Sequence, residues 1–575
     1  MKAIPTEVLI IGAGAAGLRA AIELAEAGVD VLVVSKRGDA DAHTTQAAGG
    51  INAVLGTRDP DDDWTLHAAD TLREGHFIGQ PEAVELLARR SPERVRELAR
   101  WGCPFERTDD DQLEQRFFGA HTFRRTCFVG DRTGQAVLGT LIDRAQELDL
   151  PILSRIFIAE VLTDVRGARG AVGWRMTTGE PLHFTAKAVV IAAGGCTGIY
   201  RYHSSRDDEN TGDAMGLAWG AGAALRDMEF VQFHPTGMAT PASMAGHLVT
   251  EAVRAEGGRL VNALGERFMS EYAPRSMELA PRDVVARAIA AELRAGRGTE
   301  DGGVLLDISH RDRSYLRRRL PAMVERFDEL GIDISEEPME VAPTAHYAMG
   351  GIKVDFATGA TTVNGLFAIG EATAGLHGAN RLGGNSLAET LVFGQITGAH
   401  LVSWCRHHRR HRPNPEFAST RLDAWAGLAH QHGEHQPRKL RDDLREICER
   451  HAGMIRSEEG LRQGLDELTT IERKARDVRV FTTPGSPTFA RVCGLQFMLI
   501  TAEAILRSAL HRRESRGAHF RYDHPDVDPT WGDSLVCMPD DTGVLTLHRE
   551  PLGTASLPVQ RALARHLEAN YHHLE

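Results

Sequence analysis

The 575-residue sequence contains no run of roughly eighteen apolar residues, the length a membrane-spanning helix needs, so no span is expected. It also lacks any C-x-x-C pair. Its seven cysteines stand singly at 103, 127, 196, 405, 448, 493 and 537. That spacing argues against a zinc site or an iron–sulfur cluster held by this chain alone, and no metal site is predicted. An odd, scattered set reads instead as reduced thiols in a cytosolic compartment. Basic charge is in deficit: 66 Lys and Arg stand against 79 Asp and Glu, for a net charge of -13. Nucleic acid, whose phosphates demand a basic face, is therefore not an expected partner. A small anion is not excluded, because a few arginines in a cleft override the global field. No internal repeat or low-complexity segment occurs. The opening MKAIPTEVLIIGAG enters a strand pattern too early to leave room for a signal peptide.

What is present is ordinary for a globular protein, with 42% hydrophobic and 25% charged residues. At about 150 residues per domain the length predicts several domains. Val8-Leu9-Ile10-Ile11 is an apolar run without polar alternation, as a strand buried on both faces requires. Gly12, Gly14 and Gly17 follow as G-x-G-x-x-G, and Leu18, Ile22 and Ala25 mark one face of a helix. Gly28 closes that helix and Val31-Leu32-Val33-Val34 supplies a second strand. Strand, glycine turn, helix and strand in this order predict a βαβ unit whose helix N-terminus receives a pyrophosphate.

Two distant segments favour FAD over NAD. Residues 188–195 (AVVIAAGG) form a strand running into glycines, and 365–371 (GLFAIGE) form another ending in an acid. FAD is long, and its enclosing domain is commonly assembled from separated stretches that meet at strand C-termini. The second strand of the βαβ unit ends in Ser35-Lys36, where many dinucleotide sites carry an acid, and a lone His43 stands ahead of Gly49-Gly50.

The pieces IIGAGAAGLRAA, SKRGDADAHTTQAAGGINA, TGDAMGLAWGAGA, EFVQFHPTG, VTEAVRAEGG, RDVVARAI, AHYAMGGI, HGANRLGGNSL and ESRGAHFRYD occur in order over nearly the whole chain. Together they resemble the flavoprotein subunits of succinate dehydrogenase and fumarate reductase, a superfamily that also includes L-aspartate oxidase. The resemblance implies a covalent bond from His43, followed by Thr44, to the flavin 8α-methyl group. Such a bond withdraws electron density and raises the flavin potential, which succinate oxidation requires. It implies that Arg381, His346, His234 and Thr250 hold the two carboxylates of a four-carbon diacid, the guanidinium offering a planar fork matched to a carboxylate. It implies that Arg282 carries the proton, relayed to solvent by Glu251 and Arg254. Asp213 and Glu371 are expected at the nucleotide end of FAD, Ser386 and Leu387 near the isoalloxazine, and the backbone of Gly49 and Gly50 close to the flavin.

The expected architecture is α/β: a Rossmann-like FAD-binding domain formed by 1–235 and 346–405, interrupted by an α+β capping domain, 236–345. A helical domain, 406–510, and an irregular C-terminal segment, 511–575, follow. HHRRHRPNPEF (407–417) reads as a linker. His430, His432 and His435 lie in a polar run and are expected to face solvent. Because the chain carries no cluster of its own, the resemblance implies electron partners: an iron–sulfur subunit, then a membrane anchor and a quinone. It places the chain on the cytoplasmic, inner face of the cell membrane through those subunits. The alternative is L-aspartate oxidase, which LLDISH and GIDISEEPMEVAPTAHY resemble. That branch places a glutamate for the substrate amine where this chain has Phe118, and it usually lacks a histidine at the position of His43. The dicarboxylate enzyme is the favoured reading.

Overall fold

The structure, a computed structural model, describes residues 3–38, 40–409, 415–540 and 543–569. At its centre lies a five-stranded parallel sheet, in spatial order Leu366–Ala368, Ala188–Ile191, Val8–Ile11, Val31–Ser35 and Ile152–Ser154. The strands Val8–Ile11 and Ala188–Ile191 are buried at every residue, which explains their unbroken apolar sequence. The predicted βαβ unit forms, with its helix at Ala15–Glu26. In register, Ile11 pairs with Ile191 and Val34, so the turns after these strands open on one edge. One face of the sheet carries the helices Ala15–Glu26 and Asn385–His407, packed on each other. The antiparallel strands Ile156–Asp164, Gly167–Arg175 and Pro181–Thr185 form a separate sheet with Ile4–Pro5.

A second hydrophobic cluster gathers residues between Met238 and Val341, among them Val285, Ile289, Leu306 and Phe327. The outgoing strand Val231–Met238 and the returning strand Met339–Ala348 tether it, paired antiparallel with Val231 opposite Ala348. They share a four-stranded sheet with Val304–Asp307 and Arg259–Val261. The helix Arg282–Arg294 packs on the outgoing strand.

Beyond the sheet region, the helices Pro437–Ala452, Glu458–Ala475 and Pro487–His511 pack on one another. Among the described residues, Pro487–His511 is the one helix long and apolar enough to cross a membrane. Its most apolar window is 78% buried inside the fold, which makes it a core helix. His430 and His432 are exposed and His435 is half-buried, in and beside a small hairpin with Arg479–Phe481. The flanks of the predicted linker are the helix ends His407 and Pro415, and its residues 410–414 lie outside the described residues. The C-terminal segment starts irregular. It then adds the strands Ser534–Pro539 and Leu545–Glu550, which join Leu225–Arg226, and a final helix, Leu557–Ala569. The strand pair escapes a periodicity search because its second member alternates exposed residues with one buried leucine, Leu545. All seven cysteines are free and buried.

Candidate functional site

The C-terminal edge of the parallel sheet opens on a cleft with about 1790 Å³ of atom-free space, its open mouth included. Gly12 adopts φ +122°, and a Cβ there would lie 2.1 Å from the Ala192 carbonyl oxygen. A Cβ on Gly17 would lie 2.0 Å from the Gly12 carbonyl oxygen, so both glycines keep turn and helix in contact. Gly14 faces the cleft at the start of the helix and has no side chain with which to cap it. The Ala15 N–H donates instead to Thr44 Oγ1 at 3.1 Å. The remaining free N–H groups and the helix dipole make this end a seat for an anion.

At one end of the cleft Lys36 Nζ donates to Asp213 Oδ2 at 2.7 Å, with Ser35 in the wall beside them. His43 stands in a short 3-10 helix, His43–Gln46, with Nδ1 3.4 Å from Glu209 Oε2. Arg206 in turn donates to both Glu209 oxygens, at 2.7 and 2.6 Å. Burial alone would lower the His43 pKa, but the hydrogen bond and charge of Glu209, with Glu371 behind it, leave it raised. Glu371 accepts from the Ala348 N–H at 3.1 Å, and burial raises its own pKa. Glu371 therefore sits on the His43 side of the cleft, while Asp213 sits with Lys36. Both acids line the cleft, each with a different partner.

Opposite the glycine turn, Ser386 and Leu387 line the cleft at the N-terminus of the helix Asn385–His407, behind the left-handed Gly384. Its dipole favours negative charge on whatever ring lies there. Gly49 and Gly50 form the adjoining wall. Arg116 donates to the Gly49 carbonyl and stacks over the Phe128 ring, 4.3 Å from its centroid.

Where the cleft meets the inserted cluster, guanidiniums and imidazoles converge. Arg282 heads its helix and donates through Nε to Glu251 Oε2 at 2.9 Å, with Nη2 ion-paired to the same oxygen at 2.8 Å. Its Nη1 donates to Gln232 Oε1 at 3.1 Å, and Arg381 Nη2 donates to the same oxygen at 3.0 Å. One amide oxygen thus bridges two cations. Burial, and then the neighbouring charge of Arg282, lower the Arg381 pKa to about 10. Burial would raise Glu251, but Arg282 and Arg254 outweigh it and hold the carboxyl at about 2. Arg254 lies behind Glu251, 3.8 Å away, and donates to the Glu278 carbonyl, whose own side chain pairs with half-exposed Arg267. Arg282, Glu251 and Arg254 thus form a contiguous series, with Arg254 fully buried at its far end.

The rings of His234 and His346 face each other with centroids 5.3 Å apart. His234 Nε2 lies 3.0 Å from the Val249 carbonyl, and His346 Nδ1 2.8 Å from Ser204 Oγ. Burial and the surrounding arginines hold both pKa values well below 6.5, so both rings are neutral near pH 7. Thr250 lines the cleft and caps the short helix Glu251–Ala255, its Oγ1 accepting from the Ala252 N–H at 3.3 Å. Arg282 and Arg381 face the cleft together, with Glu251 ion-paired to Arg282. The pocket is built for an anion of more than one charge.

Every residue singled out from the sequence borders the cleft except Gly17 and Arg254, which support it from behind. Sequence reasoning missed Gln232, Ser204, Glu209 and Tyr347, whose ring lies 4.6 Å beneath the Arg381 guanidinium. Gln232 had a signal. It stands two residues before His234 on one strand, and period-two alternation puts both on one face.

Comparisons with known proteins agree with this geometry. The family described as "FAD binding domain" matches residues 7–387, and "Fumarate reductase flavoprotein C-term" matches 441–563. The chain is 42% identical to a fumarate reductase (CoM/CoB) subunit of Methanothermobacter marburgensis, over 92% of this chain and 96% of that one. It is 36% identical to the succinate dehydrogenase flavoprotein subunit of Rickettsia bellii, over 96% of each. Among solved structures, E. coli quinol fumarate reductase superposes with a TM-score of 0.91 at 34% identity, covering 97% of this chain and 98% of that one. Mycobacterium smegmatis Sdh1 superposes with a TM-score of 0.87 at 38% identity, covering 100% and 97%. The glycine cradle and free helix end at the sheet edge fit the pyrophosphate of FAD. With the fold, the site and these likenesses in agreement, the chain belongs to the succinate dehydrogenase/fumarate reductase flavoprotein family.

Proposed function

We propose that this chain interconverts succinate and fumarate, gripping the diacid where the FAD-binding region meets the inserted cluster. The observation that carries the reading is the bridge at Gln232, which fixes Arg282 and Arg381 side by side against His234, His346 and Thr250. Arg381, with His346 and Ser204 beside it, holds one carboxylate; His234 and Thr250 hold the other. FAD, seated by Gly12, Gly14, Ser35, Lys36, Asp213 and the helix ends, supplies the hydride acceptor or donor at one methylene carbon. Arg282 delivers or removes the proton at the neighbouring carbon. Glu251, anionic down to about pH 2, keeps Arg282 aimed and passes the proton on toward Arg254. Phe118 is 2% exposed and packs against Gly49, so no carboxylate stands there to receive the ammonium of an amino diacid. That disfavours aspartate oxidation.

His43 is the residue we assign to a covalent link with the flavin, its imidazole oriented by Glu209. The electrons pass on to an iron–sulfur subunit, then to quinone through a membrane anchor, with this chain peripheral on the cytoplasmic face. The name of one solved relative, a quinol fumarate reductase, supports the quinone as the distant electron partner. The test is reduction of the bound flavin by succinate together with a spectral shift on adding malonate. Reduction by L-aspartate and not by succinate would overturn the reading.

A further inference from the structure

Behind the two substrate arginines lies a second polar chain that the succinate reaction does not use directly. Gln232 Nε2 donates to Asn380 Oδ1 at 2.7 Å and to the Arg381 carbonyl at 2.9 Å. Asn380 Nδ2 donates onward to Glu74 Oε1 at 2.7 Å and to Asp283 Oδ1 at 3.1 Å. Asn380 is fully buried, Gln232 is 1% exposed, and the two acids are 9% and 6% exposed. Every link has the same polarity. Two guanidiniums donate to the Gln232 oxygen, its NH₂ donates to the Asn380 oxygen, and the Asn380 NH₂ donates to two carboxyl groups.

An amide side chain has two orientations of similar shape, and only its partners decide which end faces the site. If Asn380 were turned round, its oxygen would meet carboxyl oxygens and its NH₂ would meet the NH₂ of Gln232. If Gln232 were turned round, its NH₂ would face two cations. Asp283 therefore selects the direction of Asn380, and Asn380 joins the two guanidiniums and the Arg381 carbonyl in selecting that of Gln232. Asp283 is anchored at the first turn of the helix Arg282–Arg294, and Arg287 forms an ion pair with its second oxygen at 2.8 Å. Glu74 ends the helix Trp64–Glu74, a position that disfavours negative charge, and burial beside Asp283 raises its pKa well above 4.5. The other titratable groups facing the pair are His76, 3.9 Å from Asp283 with its pKa lowered by burial, and Arg73, Glu251 and Arg282, which act on Glu74 from farther off.

The geometry points to Glu74, Asp283 and Asn380 as positioning residues that fix the direction of the Gln232 amide and so hold Arg282 and Arg381 one oxygen apart, preset for a diacid. The inference rests on the diacid reading of the site. Its consequence is for binding. Without the relay the two guanidiniums repel and swing apart before ligand arrives, and the diacid must bring them together.

Two variants of the purified, flavin-loaded protein test this. Asn380→Leu keeps the volume and cuts the relay, and Asn380→Ser keeps one hydroxyl that can donate and accept. Malonate affinity by calorimetry is expected to fall about tenfold in Asn380→Leu, the effect of one misdirected buried hydrogen bond, and to recover in part in Asn380→Ser. KM for succinate should rise in parallel while kcat stays within about twofold. Equal affinity in wild type and Asn380→Leu overturns the inference, as does equal loss in both variants, which would mark a packing defect. Wild-type protein that binds no malonate overturns the diacid reading and this inference with it. If Asn380→Leu does not fold, Glu74→Leu decides instead, since it removes a buried acid and leaves Asn380 with one acceptor too few. An unchanged KM there also overturns the inference.

Discussion

Replacing Arg282 with glutamine removes the group assigned to the proton and the main partner of Glu251. In the wild type, burial pushes the Glu251 carboxyl up while Arg282 and Arg254 bring it from 4.5 to about 2. That fall corresponds to roughly 3 kcal/mol of favourable interaction at neutral pH. Because the folded pKa is depressed, this stabilisation is fully present above pH 4.5 and is lost as the pH falls toward 2. In Arg282→Gln only Arg254, 3.8 Å away, and the Gly119 N–H, 3.3 Å away, still face the carboxylate. The Glu251 pKa should rise, and the variant should lose on the order of 2 kcal/mol at about pH 7 and much less at about pH 2. Turnover should drop about 10²–10⁴-fold, the usual worth of a positioned proton donor. The assay pairs succinate-dependent dye reduction with thermal unfolding at both pH values, with flavin content checked by absorbance. Turnover within about tenfold of wild type, in protein that retains FAD, would refute the role of Arg282. An equal stability loss at the acid and the neutral pH would refute the electrostatic account of Glu251.

Three further outcomes follow from the site. His43→Ala should release all its flavin on acid precipitation, whereas the wild type keeps fluorescence on the polypeptide in a denaturing gel; release from both would remove the covalent link. Gly17→Ala should yield protein without flavin or without a stable fold, because a Cβ lies 2.0 Å from the Gly12 oxygen, and normal flavin occupancy would contradict the close packing. His234 and His346 are held neutral by burial and by the arginines, and a dianion nearby must raise both pKa values. Succinate or malonate binding near pH 6 should then take up protons, seen as a dependence of the calorimetric heat on buffer ionisation enthalpy. No such dependence would place the diacid away from these rings.

The parts legible in the sequence were local. Gly12, Gly14 and Gly17 fall within one turn, and the strands on either side are read from a few consecutive apolar residues. His43, His234 and His346 were found because they sit inside short motifs. What escaped depends on contacts between distant positions. Lys36 meets Asp213 across 177 residues, and Asn380 meets Glu74 across 306. No periodicity reports such pairs, since each partner looks like an ordinary helix-end or loop residue in its own segment. Glu371 closes an apolar strand in the sequence, and that pattern says nothing of what its carboxyl faces. Only the packing of Ala348 against it shows that it faces His43. The hairpin Ser534–Pro539 with Leu545–Glu550 was hidden for another reason: its outer strand covers little core, so its residues carry almost no burial pattern.

His234 lies on the outgoing strand and His346 on the returning one, the same two strands that tether the inserted cluster. The tether of the inserted cluster therefore also carries two of the cleft's imidazoles. A ligand held by both imidazoles would stitch the ribbon across its width. Amide exchange along 231–238 and 339–348 should slow when malonate is added, while the distant hairpin at 534–550 keeps its own pace.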